Sequence, residues 1–238
     1  VVGECSGNTR ELDRSVRGQR KMCRRDSYRD RTYGSTGSVS AGNIANGAYS
    51  HAEGSMTTAS GESSHAEGRQ TTASGHDSHA EGFDTTASKI YSHAEGFNTT
   101  ASGQAAHAEG STVTASGHSA HAEGSLTTAS GASAHAEGDS TTAIGWYSHA
   151  EGNFTVASGA SAHAEGDNTT ANGKYSHAEG KYTIANSQSQ HVQGEYNVLD
   201  MAGSATARGT YAHIVGNGTA EARSNAHTLD WSGNAWFA

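Results

Sequence analysis

Eleven histidines stand 14 residues apart, from His51 to His191. The first ten each open the tetrapeptide His-Ala-Glu-Gly, so a carboxylate follows every imidazole by two positions. The pairs are His51/Glu53, His65/Glu67, His79/Glu81, His93/Glu95, His107/Glu109, His121/Glu123, His135/Glu137, His149/Glu151, His163/Glu165 and His177/Glu179, and His191 opens His-Val-Gln-Gly. Imidazole and carboxylate are both zinc ligands, and three histidines around a threefold axis could hold nickel or iron. The other chemistry open to them is a hydrogen-bonded ladder, each imidazole paired with a Glu of the next coil or chain. We read the row as such a ladder, a polar interface to which no metal or cofactor is assigned. In that reading Glu raises the His pKa, His lowers the Glu pKa, and stability peaks at mildly acidic pH. No catalytic residue is assigned either. Ser50 precedes His51, but strand alternation sends the two to opposite faces, so no nucleophile–base pair forms along the strand. An enzyme also needs one distinguished pocket, whereas this pattern is repeated ten times.

The elements that carry the pairs are legible from a second periodicity. Between successive His-Ala-Glu-Gly units lies Thr-Ala-Ser-Gly or a close variant, as at Thr58–Gly61. Gly recurs every seven residues from Gly47 to Gly194, with only Lys89 and Ser187 missing among 22 positions. Ala stands two residues before each of those positions and fails only at Val192. A period so short, held so long, predicts an all-β solenoid of 14-residue coils. Alternation puts Ser50, Ala52, Thr57 and Ala59 inside, and His51, Glu53, Thr58 and Ser60 outside. Gly54 and Gly61 are expected to end their strands and to take the positive φ of a tight corner. Helix is excluded by Gly at every seventh position, at about 1 kcal/mol each relative to Ala. A coiled coil lacks its apolar a and d residues, and collagen needs Gly at every third position.

Composition bounds the rest. Of 238 residues only 33% are hydrophobic, 31 are Gly and none is Pro. Such a chain builds no ordinary globular core and must gain its stability by stacking like on like. The formal charge is −9, which excludes nucleic-acid binding by bulk charge. Residues 1–35 form a basic polar leader, expected to be poorly ordered or to end an upstream region. Nine of the 15 basic residues and both cysteines, Cys5 and Cys23, lie there. Two cysteines make no disulfide framework and no zinc site. Leu12 and Val16 hint at one helical turn. No apolar stretch reads as a signal peptide or a membrane span. Residues 36–200 are the repeat. Residues 201–238 are a degenerate repeat, with one residue inserted before Gly209 and a last half-repeat at Tyr211–Gly216. It leads into an aromatic cap or junction with Trp231, Trp236 and Phe237, and Ala238 reads as a fragment boundary.

The unit Ser-His-Ala-Glu-Gly-x-x-Thr resembles the YadA-like head repeats of trimeric autotransporter adhesins, whose pattern is Ser-Val-Ala-Ile-Gly-x-x-Ser. Ser50, Ala52, Gly54 and Thr57 occupy the matching places. The resemblance covers about residues 36–200 and implies a left-handed parallel β-roll, three chains wide. Where the family places Val and Ile between chains, this sequence has His and Glu, so the trimer contact is polar or on the other face. Versions with Ser-His-Ala-Glu-Gly are similar to tail-fibre repeats of phages and prophages. Residues Ala222–Asn234 resemble the segment before the C-terminal chaperone or tip region of such proteins.

Two further surfaces are candidates for binding. Outward Thr and Ser ranks, such as Thr58/Ser60 and Thr72/Ser74, could order water as ice-binding rolls do, although Ile144, Val156, Asn172, Ile184 and Asn186 interrupt them. Aromatics at the corners could contact a ligand such as a glycan: Phe83, Phe97, Phe154 and Tyr182 on one side, Trp146, Tyr147 and Tyr175 on the other. The first functional expectation is a non-enzymatic, homotrimeric tail-fibre shaft on a virion, engaging a cell-surface glycan or protein receptor. The alternative is a bacterial surface adhesin head binding host or matrix ligands, and the third is an ice-binding roll.

Overall fold

The computed structural model describes residues 36–37 and 42–238. The basic leader, both cysteines and the Leu12/Val16 turn lie outside the described residues. The rest is an all-β parallel solenoid of about eleven coils.

Each coil contributes one strand to each of two sheets. The longer strands run from β3 (His51–Ser55) through every second element to β23 (His191–Glu195), and each spans His-Ala-Glu-Gly and one more residue or its equivalent. The shorter ones are two-residue Thr-Ala strands or variants, from β2 (Ile44–Ala45) to β22 (Ile184–Ala185). Both sheets are parallel and in register, so like meets like: His107 pairs with His121, Ala108 with Ala122, Glu109 with Glu123, and Thr100 with Thr114.

Burial follows the expected alternation. Every buried apolar residue among those described is Ala, except Val113, Val192 and Ile214. The Ser50 row is buried too, and its hydroxyls donate to carbonyls three residues back, as Ser50 to Gly47 at 2.7 Å and Ser64 to Gly61 at 2.8 Å. The Thr57 row is equally buried, but the Oγ1 atoms of Thr57, Thr71, Thr85, Thr99, Thr127, Thr141, Thr155 and Thr169 have no hydrogen-bond partner. Val113 stands in the same row.

The corners differ from expectation. Gly54 and its equivalents have positive φ, 112° at Gly54, but lie within their strands rather than ending them. The Gly61 row does not have it. Its glycines are required by stacking: a Cβ at Gly61 would collide with the carbonyl oxygen of Gly75. The left-handed conformation falls instead on a non-glycine residue two positions after each Gly position, such as Met56 (58°), Leu126 (57°) and Tyr147 (59°). Where the stacking row lacks Gly, its hydrogen bonding changes. Gly61 and Gly75 donate their N–H to the next coil, whereas Lys89 donates to Ser92 Oγ at 3.1 Å and Ser187 to Gln190 Oε1 at 3.4 Å.

The stack outlasts the visible repeat. Strand β24 (Tyr211–Asn217) lies parallel on β23 and pairs His213 with His191 and Gly216 with Gly194. That offset is 22 residues rather than 14, so eight residues loop out between the two strands: one seven-residue half-repeat and the single residue read before Gly209. The insertion tucks the Asp200 carboxylate into the end of the coil, where it accepts the Tyr211 N–H at 2.8 Å and the Ala202 N–H at 3.1 Å. The direction then reverses: β25 (Asn225–Asp230) pairs antiparallel with β24, and β26 (Ala235–Phe237) antiparallel with β25. The aromatics here are partly packed: Trp236 meets Tyr211 edge-on, Phe237 stacks on His227 and Arg208 lies over Trp231, while Trp236 and Phe237 stay exposed.

Candidate functional site

The site is a surface, the outer face of the long-strand sheet. Strand pairing in register leaves each imidazole over the one before it. From His51 to His191 ring centroids step by 4.7–5.0 Å. His135 and His149 are parallel to within 2°. Two residues hidden from sequence reading extend the column: His213 lies 5.1 Å from His191 and His227 lies 5.7 Å from His213. The eight-residue insertion conceals them, and the Tyr-Ala-His-Ile-Val-Gly half-repeat was the only signal.

The carboxylates pair differently along the column. In the early coils Glu contacts the His of its own strand, 3.1 Å for His51–Glu53 and 3.1 Å for His107–Glu109. Toward the C-terminus it moves under the next ring: His177 is 3.5 Å from Glu165 and His191 is 3.3 Å from Glu179. His163 sits between two carboxylates, 3.8 Å from Glu151 and 4.0 Å from Glu165. Within the chain, each of these imidazoles meets a Glu of its own strand or of the adjacent, preceding coil.

At several rungs the expected hydrogen bond does not form at all. Glu81 stands 3.7 Å from His79 on its own strand, and Glu137 stands 3.7 Å from His135. The Nε2 atoms of both histidines are shielded and have no hydrogen-bond partner. Within this chain the Glu81 carboxylate neighbours an imidazole without hydrogen-bonding it. Side chains two residues apart on one face start about 6.6 Å apart, at 3.3 Å per residue, so both must lean together to meet, as they do at His51/Glu53 but not here. Glu side-chain exposure also falls along the column, from 63% at Glu53 to 31% at Glu165. Beside the carboxylates runs a groove of about 680 Å³, from Glu123 to Glu179, walled by the Gly138–Gly194 row and closed by Val215.

The expected rise in His pKa is also reversed. Burial, then the neighbouring imidazoles, lower His65, His93, His121, His163 and His213, and the nearby carboxylates, Glu67, Glu81, Glu95, Glu123 and Glu165 among them, oppose this only in part. His163, with another imidazole 4.7–4.8 Å away on either side, meets two like charges if all are protonated, and the misaligned carboxylates of Glu165 and Glu151 offset this only in part. At Glu179 burial acts upward, but hydrogen bonds to Glu165 and His191 outweigh it and the pKa is lowered, as expected for a Glu of the ladder.

Ser50 is buried and His51 half-buried, on opposite faces, as alternation requires. The outward Thr58 row is half-buried. The corner aromatics divide: Phe97, Trp146, Tyr147, Phe154 and Tyr175 are exposed, while Phe83 and Tyr182 are half-buried. Phe83 stacks on Phe97 at 5.4 Å with Arg69 over its ring, and Tyr182 stacks on Tyr196 at 4.6 Å. Trp146 and Tyr147 are adjacent at one corner, and both are exposed.

The family model for the YadA head domain repeat matches residues 52–78, 94–120, 122–148, 150–176 and 164–185. The repeat tract belongs to the YadA head family. YadA heads are structural adhesin domains rather than enzymes, and the matched segments cover most of the coils that carry the His/Glu column, with residues 79–93 between two of them unmatched. No curated protein matches the chain. No helix among the described residues is long and apolar enough to cross a membrane.

Proposed function

We propose that the chain is a rigid receptor-binding shaft of the YadA-head type, a left-handed roll assembled from three copies and carried on an extracellular fibre. The observation that carries this reading is the unbroken in-register stack over an interior of Ala, Ser and Thr. Side chains this small bury little apolar area, at about 25 cal/mol per Å², so one roll gains much by covering a face with two others. The half-buried His/Glu sheet is the broad, regular face suited to that contact. Binding specificity then belongs to the corners, where exposed Trp146, Tyr147, Tyr175 and Phe154 present flat rings on a fixed frame to a glycan or protein receptor.

Light scattering on the intact protein should return three times 24.4 kDa; a folded monomer at micromolar concentration would refute the assembly. The labelled protein should bind cells, and a Trp146→Ala/Tyr147→Ala variant should lose that binding while keeping its assembly state. For the setting, we favour a phage or prophage tail fibre, supported by the resemblance of Ala222–Asn234 to the segment before a fibre tip. The family match supports equally the head of a bacterial surface adhesin. A chaperone domain encoded downstream beside tail genes decides for the first, and a membrane-anchor domain for the second.

A further inference from the structure

We propose that the C-terminal part of the His/Glu column binds borderline divalent transition ions, zinc above all, in sites built from two successive imidazoles and the carboxylate between them. The ligands are His135, Glu137 and His149, and again His163, Glu165 and His177. This goes beyond a role for the face in assembly, because each site is complete within one chain.

Three observations carry the proposal. In each triad two imidazole nitrogens and one carboxylate oxygen lie within 4.8 Å of one another. The Nε2 atoms of His135, His149, His163 and His177 are shielded from water and have no hydrogen-bond partner. A carboxylate nevertheless lies 3.5–4.0 Å from each of them, too far or too poorly aligned to bond. A shielded nitrogen facing a carboxylate across such a gap has the spacing that one bound cation would bridge. Finally, the triads are local: His65, His93 and His121 also have shielded, unpartnered Nε2 atoms near a carboxylate, but among the described residues no second imidazole completes a triad there. Glu53 and Glu109 remain with their own His. Glu81 has the gap to His79 but no second imidazole close enough to complete a triad among the described residues.

The donor set selects the ion. Two imidazoles and one carboxylate, with a fourth position left for water, suit zinc, whose bonds of about 2.0–2.2 Å would draw the ligand atoms together. Side chains about one-third exposed can rotate to close that distance while the strand pairing stays fixed. Calcium and magnesium prefer oxygen ligands and are not served here.

Sharing sets the stoichiometry. A third triad, His149, Glu151 and His163, takes one imidazole from each of the other two. A ring nitrogen binds one ion, so occupying the middle triad empties both outer ones. The outer two can fill together, which gives about two ions per chain.

The test uses the intact protein without a histidine tag, stripped with chelator and titrated with zinc chloride alone at pH 7.5 by calorimetry. We expect saturation at about two zinc ions per chain. A Glu137→Gln/Glu165→Gln variant should bind about tenfold more weakly or worse, since even groups behind metal ligands are worth that much. A Glu53→Gln/Glu81→Gln variant should bind as the parent does. Cobalt added to the unmutated protein should give the visible bands of a four-coordinate ion, so the proposal can be judged even if a variant misfolds. No saturable uptake, one ion for every histidine, equal effects of the two double variants, or a six-coordinate cobalt spectrum would each overturn it.

Discussion

The buried hydroxyl row offers a test of how the interior is held. Thr99 is fully buried, its Oγ1 has no partner, and the coil after it carries Val113 in the same place, also fully buried. The backbone there is already committed: the Thr100 N–H donates to the Val113 carbonyl at 2.8 Å. Valine matches threonine in shape and in preference for strand. Thr99→Val therefore removes an unsatisfied polar group and leaves no cavity. A buried, unsatisfied hydroxyl costs about 1–3 kcal/mol, and taking the low end the variant should be stabilised by about 1 kcal/mol. For a chain of this size that is a rise in Tm of about 2–4 °C. Thr183 is the internal control, because its Oγ1 donates to the Glu179 carbonyl at 3.0 Å, so Thr183→Val should give no gain. Melting should be followed at one fixed protein concentration, since the stability of an assembly depends on it. If Thr99→Val lowers Tm, or if the two substitutions behave alike, the row is held by hydroxyl hydrogen bonds and the reasoning is wrong.

Three other outcomes are expected. Gly117→Ala puts a Cβ into the Gly131 carbonyl oxygen; overpacking of this kind costs about 1–3 kcal/mol, and urea melts showing less than about 0.5 kcal/mol would refute stacking as the reason for that row. Leu126→Asn relieves a branched, exposed residue of its left-handed φ of 57°; a gain of about 1 kcal/mol is expected in the same melts, and a loss would show that the leucine contributes contacts. In chelator, acidification should destabilise the protein: the lowered pKa values of His65, His93 and His121 mean that the unfolded chain binds more protons. Their contribution is complete above the unfolded value of about 6.5 and is lost as pH falls through the lower folded values, so a Tm that rises between pH 7.5 and 5.5 would contradict this.

Much of this fold is legible because each coil repeats the same local rule. Ala52 and Ala59 recur in phase with Gly54 and Gly61, and that phase alone gives the strands, the inside face and the coil length. The purpose of the two glycine rows is not legible. Gly54 needs its φ and Gly61 needs the absence of a side chain against the next coil, yet in sequence the two are alike. Nor is the left-handed residue visible, because Met56, Leu126 and Tyr147 share no chemistry, only a place two positions after a Gly. The candidate site has the same limit. The ten His/Glu pairs are found by inspection, but ten identical tetrapeptides cannot disclose that Glu53 bonds its own ring, that Glu81 bonds neither neighbour, or that Glu165 has shifted toward the next ring. His213 is a different case: its half-repeat at Tyr211–Gly216 is recognisable, but the insertion breaks the count that would place it on His191, although the stacking does not break.

The in-register pairing makes length a free variable of this molecule. Every residue in the coils is held by its counterpart fourteen positions away, His107 by His121 and Thr100 by Thr114, so no coil depends on how many others follow. Removing or duplicating one whole unit leaves each remaining neighbour with the partner it requires and changes the reach of the rod by about 4.8 Å. A change of seven residues would instead set a Thr-Ala strand against a His-Ala-Glu strand and halt the stack. The gene can therefore lengthen or shorten this roll in quanta of a single coil, as a ruler is cut only at its marks.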